Sequence, residues 1–266
     1  MHPVLFKIGP IVITSYGVLL TLAFAVGLLF SLTRTKGSEI KKEYILDLFL
    51  VVLLSSVVGS RFFYVIFHLD EFEGRLLDMI NPIQSTGEIG IAGLSMAGGI
   101  VLAIFSGILY LYLKRINIWK VADIVAPSFP LGLAIARVGC HLNGCCFGKP
   151  TNSFLGLVFP YDSPAGYYFP DTPLYPSQLI SSFFGATIFL ILILFEKKKR
   201  FDGFTFWLMI ILYSVARFVV DFFRYYEESM IFLRIGKTAF SVNQVVMVFL
   251  FLTSFLVLNY LKRSNR

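Results

Sequence analysis

The sequence predicts an all-α integral membrane protein with seven transmembrane helices. Hydrophobic residues make up 57% of the 266 residues and charged residues only 15%, whereas a soluble domain of this length carries more Lys and Glu. Seven apolar segments are each close to the about 20 residues that are needed to cross a bilayer. Basic residues are concentrated in alternate loops, which orients the bundle. We expect a single membrane domain over residues 1–266.

The apolar segments follow one another along the whole chain. The first has no basic region before it and no small-x-small cleavage site after it, so we expect a retained helix rather than a signal peptide. The seven helices are predicted near residues 11–32, 44–67, 93–113, 121–139, 177–195, 203–223 and 239–261.

The charged residues predict the direction of each helix. More than half of the 23 Lys and Arg residues follow the first, third, fifth and seventh segments, whereas the opposite loops are acidic or rich in Pro, Gly and Tyr. By the positive-inside rule, the N-terminus lies outside and the C-terminus in the cytoplasm. The net charge of +7 therefore reflects membrane topology, and nucleic acid is not an expected partner.

Two loops on the outer side are predicted to form a headpiece. The 69–92 loop mixes acidic residues with Leu76, Leu77, Met79 and Ile80, which is typical of a short helix lying on the membrane surface. The 148–176 loop is rich in proline and tyrosine. It is expected to be ordered by proline and interfacial aromatic residues more than by helix, as a lid or headpiece.

Three helices carry an arginine at about the same predicted depth, just below the outer surface: Arg61, Arg137 and Arg217. A charge within the bilayer costs about 2.5–3.5 kcal/mol at the helix centre and less near the interface. A shared anion would offset this cost, and a lipid phosphate is the natural anion at that depth. The alternative is that Arg217 pairs internally with Asp221, four residues later, while the other two arginines extend to lipid headgroups.

All three cysteines lie in residues 136–151, ARVGCHLNGCCFGKPT. Cys140, His141, Cys145 and Cys146 have the composition of a zinc site, but adjacent ligands converge poorly on one ion, so no metal is expected. Three interpretations remain open. These are a Cys140–Cys145 disulfide, a reactive thiolate next to Arg137 and His141, and small buried side chains that pack a helix end.

Several separated motifs are recognisable together across nearly the whole chain: Gly9-Pro10 with Ser15-Tyr16-Gly17, Gly59-Ser60-Arg61, the run 93–99, the run 137–148, the run 175–179, and Tyr213-x3-Arg217-x3-Asp221-x2-Arg224. They resemble motifs of the prolipoprotein diacylglyceryl transferase family, which are seven-helix enzymes of the bacterial inner membrane. The resemblance implies transfer of a diacylglyceryl group from phosphatidylglycerol to the lipobox cysteine thiol of a prolipoprotein signal peptide. Glycerol phosphate is released, and no cofactor is involved.

The resemblance also implies roles for individual residues within a bundle surrounded by membrane lipids. The residues expected to be catalytic are Tyr16, Arg137, Tyr213 and Arg217. The residues expected to bind substrate are Arg137, Arg61, Asn143, Gly98, Gly99, Gln178, Asp221 and Arg224.

The chain departs from the family pattern at five positions. Ala97 replaces the family histidine, Cys140 the first asparagine of the signature and Cys145 its glutamate; Ile180 and Ser181 replace a tyrosine and a glutamate. Our hypothesis is that His141, Cys140 or Cys145 replaces the lost base.

The alternative functions are lipid transfer to another acceptor through a cysteine, binding of an anionic lipid without catalysis, and membrane thiol–disulfide exchange.

Overall fold

The computed structural model describes residues 3–8, 11–72, 79, 93–196, 201–236 and 238–264. Seven helices within these ranges are long and apolar enough to cross a membrane, which confirms the predicted class and number of spans. Short strands also occur, in two two-stranded sheets. The elements are β1 (Val4–Ile8), β2 (Ile11–Thr14), α1 (Ser15–Arg34), α2 (Lys42–Phe67), α3 (Met96–Leu113), α4 (Ile118–Val125), α5 (Ser128–Asn143), α6 (Pro164–Tyr168), α7 (Ser177–Glu196), α8 (Phe204–Phe223), β3 (Ile231–Ile235), β4 (Thr238–Ser241) and α9 (Val242–Ser264).

Three of the spans have limits that differ by a few residues from those predicted. Residues 11–14 form β2 because the β-branched run Ile-Val-Ile-Thr favours a strand, so α1 begins at Ser15. The seventh span starts at Val242, after the antiparallel β3–β4 pair. The fourth span is interrupted before Pro127 and continues as α5 to Asn143, since proline lacks an N–H donor and clashes with the preceding turn.

The chain contacts divide the structure into two compact units. One comprises Met1–Phe6, Ile13–Ser31 and Ala122–Arg266, and the other comprises Lys7–Val12 and Leu32–Val121. The single membrane domain stays a prediction. The two units are described separately below.

Close contacts with the neighbouring helices position α5 and α8 in the larger unit. A Cβ on Gly185 of α7 would lie 2.9 Å from the Pro130 carbonyl oxygen, so only glycine permits this approach of α5. The Ser182 hydroxyl donates a hydrogen bond of 2.7 Å to the Ala134 carbonyl. At the start of α8, the buried carboxylate of Asp123 accepts hydrogen bonds from the backbone N–H groups of Gly203 and Phe206.

In the smaller unit, α2 and α3 approach each other through glycines. A Cβ on Gly98 would overlap the Gly59 carbonyl oxygen, and a Cβ on Gly99 would overlap the Ser60 hydroxyl. The space next to them is occupied by α2.

Replacing Gly98 with alanine is therefore expected to destabilise the protein by about 1–3 kcal/mol, the usual range for an overpacked contact. The matched control is Gly107→Ala on the same helix, where the new Cβ would meet side chains at 3.4 and 3.5 Å. Thermal unfolding in one detergent compares the two variants. Equal stabilities would contradict the packing described for Gly98.

The 148–176 loop is ordered and has its own small core. Phe159, Ala165 and Leu174 are buried together, and Phe147 and Phe169 pack against them. Isolated bridges join Pro150 and Leu157 to Leu174, and the short helix α6 lies within the loop. Of the other predicted headpiece loop, residues 73–78 and 80–92 lie outside the described residues, and Leu69–Phe72 forms a 3-10 turn.

Candidate active site

Two of the arginines singled out in the sequence, Arg137 on α5 and Arg217 on α8, line one pocket in the larger unit. Tyr213, one helical turn before Arg217, lines it too. The rest of the wall is mostly apolar. The lining residues are Leu133, Arg137, Ser181, Phe184, Gly185, Ile188, Tyr213, Ala216, Arg217 and Val220. The two arginines thus belong to the wall of a small pocket whose surface is almost entirely apolar.

Arg217 is held by the carboxylate of Asp221. Its Nη1 lies 2.8 Å from Oδ1, and the Asp221 side chain is fully buried. Nη1 makes no aligned hydrogen bond within the described residues, so this ion pair leaves donor capacity on the guanidinium. Nη2 donates to the Tyr226 hydroxyl at 2.8 Å, and that hydroxyl donates to Asp221 at 2.9 Å.

Three neutral donors complete the surroundings of the Asp221 carboxylate. The Asn243 amide donates to Oδ2 at 2.6 Å and the Ser241 hydroxyl at 3.2 Å. Burial raises the pKa of Tyr226 to about 12, so the phenol stays protonated and can donate. Asp221 therefore fixes Arg217 from one side while α9 fixes Asp221 from the other. Tyr226 was missed in the sequence because it lies beyond the end of α8.

The three cysteine sulfur atoms lie together beyond Arg137, all within 4.8 Å of one another. Cys140 is in the last turn of α5, which ends at Gly144 in the left-handed conformation. Cys146 also has a positive φ, of 57°, and this turn brings its sulfur back toward Cys140. The adjacent cysteines, which were expected to converge poorly on one ion, thus have their sulfur atoms close together. All three cysteines are free, so the structure lacks the Cys140–Cys145 disulfide.

Two arginines, Arg137 and Arg224, interact with this thiol cluster, which is defined by Cys140, Cys145 and Cys146. Arg137 donates a hydrogen bond to Cys146. Hydrogen bonds from the two neighbouring thiols lower the pKa of the Cys146 thiol. The charges of Arg224 and Arg137 lower it further, while burial opposes them. These effects favour the thiolate at Cys146, whereas the pKa of the Cys145 thiol is raised.

Polar groups on α7 and the end of α8 hold the backbone of the cluster in place. The Ser177 hydroxyl and the Gln178 amide donate to the carbonyls of Cys146 and Cys145, each at 2.8 Å. The N–H groups of Lys149 and Tyr225 donate to Phe223 and Phe147, joining this loop to the end of α8. This places Arg224 beside Cys146.

The remaining candidates lie around the cluster in different ways. Tyr16 on α1 packs at Gly139 and interacts electrostatically with Cys140 and Arg137. Asn143 hydrogen-bonds to Cys145. The ring of His141 packs edge-on against Phe159, with centroids 5.8 Å apart, and its buried Nδ1 has no hydrogen-bond partner among the described residues.

Arg61, Gly98 and Gly99 belong to the smaller unit, and their predicted role in substrate binding stays a prediction. Within that unit, Arg61 donates to the carbonyls of Met79 at 2.9 Å and Gly93 at 3.2 Å. Its guanidinium carbon also lies 5.0 Å from the centre of the Phe72 ring. Arg61 thus has local partners of its own.

Seven apolar helices and a small pocket with two arginines in its wall are the features of a multi-pass membrane protein with an internal site. The model of one family, prolipoprotein diacylglyceryl transferase, matches residues 3–260. The chain belongs to this family of membrane transferases, as its motifs indicated.

Relatives in several clostridia match along most or all of the chain. A phosphatidylglycerol–prolipoprotein diacylglyceryl transferase of Clostridium botulinum (strain Loch Maree) is 29% identical over 267 residues, covering all of both chains. A protein of Clostridium perfringens (strain 13), which carries the same name with the number 2, is 29% identical and covers all of this chain and 98% of its own. A Clostridium tetani relative is 29% identical over 224 residues, 84% of this chain and 86% of its own.

Proposed function

We propose that the protein transfers a diacylglyceryl group from phosphatidylglycerol to the lipobox cysteine thiol of a prolipoprotein. Membership of the transferase family supports this class of reaction. The observation that carries the proposal is the pocket shared by Arg137 and Arg217. Two guanidinium groups from different helices at one pocket can bind one phosphate, and the carboxylate of Asp221 balances only one of the two buried positive charges.

In this proposal, the phosphate of the lipid is the leaving group. Negative charge develops on its oxygen as the bond to the glycerol carbon breaks, and Arg137 and Arg217 stabilise that charge. Asp221 positions Arg217, and Tyr213 and Tyr16 position the substrates. The apolar wall formed by Leu133, Phe184 and Ile188 suits the acyl chains.

The predicted topology determines where the reaction occurs. With the N-terminus outside, the pocket lies toward the outer leaflet of the bacterial inner membrane, and the 148–176 loop lies on the same side. The lipobox cysteine of a secreted prolipoprotein reaches the membrane there. The ordered core of that loop gives the incoming peptide a defined surface next to the thiol cluster.

A covalent relay through a cysteine of the cluster is a poorer mechanism. Attack by Cys146 on the glycerol carbon would form a thioether. A second thiol would then have to expel a thiolate, whose conjugate acid has a pKa of about 8.5, and thiolate is a far poorer leaving group than a phosphate ester. Direct transfer to the acceptor thiol avoids this stable intermediate.

Complementation tests the proposed function in cells. The protein is expressed in a bacterial strain depleted of its own diacylglyceryl transferase. We expect restored growth and lipid-modified lipoproteins, and no restoration by the Arg217→Gln variant at equal membrane abundance. Failure of the wild-type protein, inserted at normal abundance, would contradict the proposal.

A further inference from the structure

We propose that Cys140, Cys145 and Cys146 together bind one Zn²⁺ ion, and that the acceptor thiol enters the fourth position of that ion as a thiolate. The proposed binding of the ion depends only on the positions of the three cysteine side chains. The half that concerns the acceptor thiol rests on the proposed function. The site thereby supplies the thiol activation that the family assigns to residues replaced here by Ala97 and Cys145.

The sulfur positions suit a single ion with little rearrangement. A tetrahedral zinc site has Zn–S bonds of about 2.3 Å, which places its sulfur atoms about 3.8 Å apart. The three sulfur atoms all lie within 4.8 Å of one another. Closing each pair onto an ion therefore requires a shift of about 1 Å or less, within the reach of cysteine side-chain rotation.

The backbone is built to keep the sulfur atoms together. Cys146 is one of three non-glycine residues with positive φ in the described ranges, a conformation that is unfavourable for an L-residue. The N–H of Cys145 bonds to the carbonyl of Cys140 at 3.1 Å. Side chains of α7 hold the carbonyls of Cys145 and Cys146. Strain held in place in this way is characteristic of functional sites.

The charges around the cluster favour a metal thiolate. Three thiolates and one Zn²⁺ carry a net charge of −1. Arg137 and Arg224 lie close enough to interact with Cys146, and hydrogen bonding and positive charge around coordinating thiolates stabilise such a complex. Soft thiolate ligands select Zn²⁺ or Cu⁺ over hard cations such as Mg²⁺.

The site leaves one coordination position open. Within the described part of the chain, no fourth Cys, His, Asp or Glu joins the three sulfur atoms, and His141 packs on Phe159 instead. Three protein ligands and an open position are the pattern of catalytic zinc, whereas structural sites have four. Cys145 and Cys146 are partly exposed, so a thiol can approach the ion.

The chemistry balances without a separate base. The acceptor thiol loses its proton to solvent when it binds the ion, since a coordinating thiol is deprotonated outright. Its sulfur electron pair then attacks the glycerol carbon that bears the phosphate. A C–S bond forms, the C–O bond to the phosphate breaks, and its electrons leave with glycerol phosphate.

Binding of Co²⁺ alone tests the metal site. The reduced protein in detergent is stripped with a chelator and titrated with Co²⁺. We expect one ion per chain with sulfur-to-cobalt charge-transfer absorption, competed by Zn²⁺. Each Cys→Ser variant, checked for folding by its unfolding temperature, should lower the affinity at least tenfold. Absence of that absorption, or the same affinity in all three variants as in the wild type, would overturn the metal site.

The His141→Ala variant tests whether the fourth position is open. It should leave the cobalt spectrum unchanged; a changed spectrum would mean a closed four-ligand site and overturn the open position.

A thiol peptide tests the fourth position. Adding a lipobox-like peptide to the Co²⁺ protein should strengthen the charge-transfer absorption, while the same peptide with Ser for Cys should not. Lipid transfer should fall at least tenfold after chelation and return with Zn²⁺. Full transfer by the stripped protein would overturn the role of the metal and leave the proposed function intact. Thiol binding to cobalt without any transfer would support the site and contradict the proposed function.

Discussion

Replacing Arg137 with glutamine is expected to lower the rate of diacylglyceryl transfer by roughly 100-fold or more while the protein remains folded. Arg137 lines the pocket with Arg217 and also contacts Cys146. It therefore lies between the pocket proposed for the phosphate and the thiol cluster. Removing one charge-stabilising donor from a preorganised site typically costs a factor of about 10²–10³. The rate is measured with purified protein, labelled phosphatidylglycerol and a lipobox peptide in mixed micelles.

The matched control for this prediction is Arg234→Gln. Arg234 is an arginine of β3 whose side chain is 57% exposed and pairs with Glu228. We expect this variant to keep the wild-type rate, because it removes the same charge from an exposed position that does not line the pocket. If Arg137→Gln retained more than about one third of the wild-type rate, the assignment of Arg137 would be wrong.

Replacing Asp221 with alanine is expected to lower the free energy of unfolding by about 3–5 kcal/mol, the usual cost of leaving one charge of a buried pair unpaired. The variant would leave the Arg217 guanidinium, itself only 11% exposed, without its carboxylate. It would also remove the acceptor of Tyr226, Ser241 and Asn243. Chemical denaturation in a single detergent measures the effect.

Glu228→Ala is the matched control, because Glu228 also pairs with an arginine but has a side chain that is 81% exposed. An exposed pair contributes about 0–1 kcal/mol. The Asp221→Asn variant keeps one acceptor oxygen, so its loss in free energy of unfolding should lie between those of Asp221→Ala and Glu228→Ala. Equal losses for Asp221→Ala and Glu228→Ala would show that burial of the Asp221 network does not stabilise the fold.

The membrane spans could be predicted from the sequence because hydropathy is a local property. The residues at which the spans begin and end could not be predicted equally well. The run 11–14 is as apolar as the helix that follows it, and only its β-branched residues indicate a strand. The β3–β4 pair depends on a turn at Gly236 with φ of 60°, and a hydropathy plot does not separate that pair from α9.

At the site, the spacing of four residues on one helix predicted the Arg217–Asp221 pair. The predicted depths in the membrane placed Arg137 in the same layer as Arg217. Depth does not tell which way a side chain faces around its helix. Arg61 belongs to the smaller unit, where its partners include carbonyls and an aromatic ring, and its place in the same layer stays a prediction. The convergence of the cysteines depends on the left-handed φ of Cys146, a conformation that sequence spacing does not reveal.

The transfer assay with the wild-type protein shows whether the acceptor thiol becomes lipid-modified. Purified protein is incubated with phosphatidylglycerol and a lipobox peptide, in parallel with the same peptide carrying Ser in place of Cys, and the peptides are analysed by mass spectrometry. The account predicts a diacylglyceryl thioether on the Cys peptide, release of glycerol phosphate in equal amount, and no change in the Ser peptide. Folded protein that binds phosphatidylglycerol but forms no thioether would contradict it.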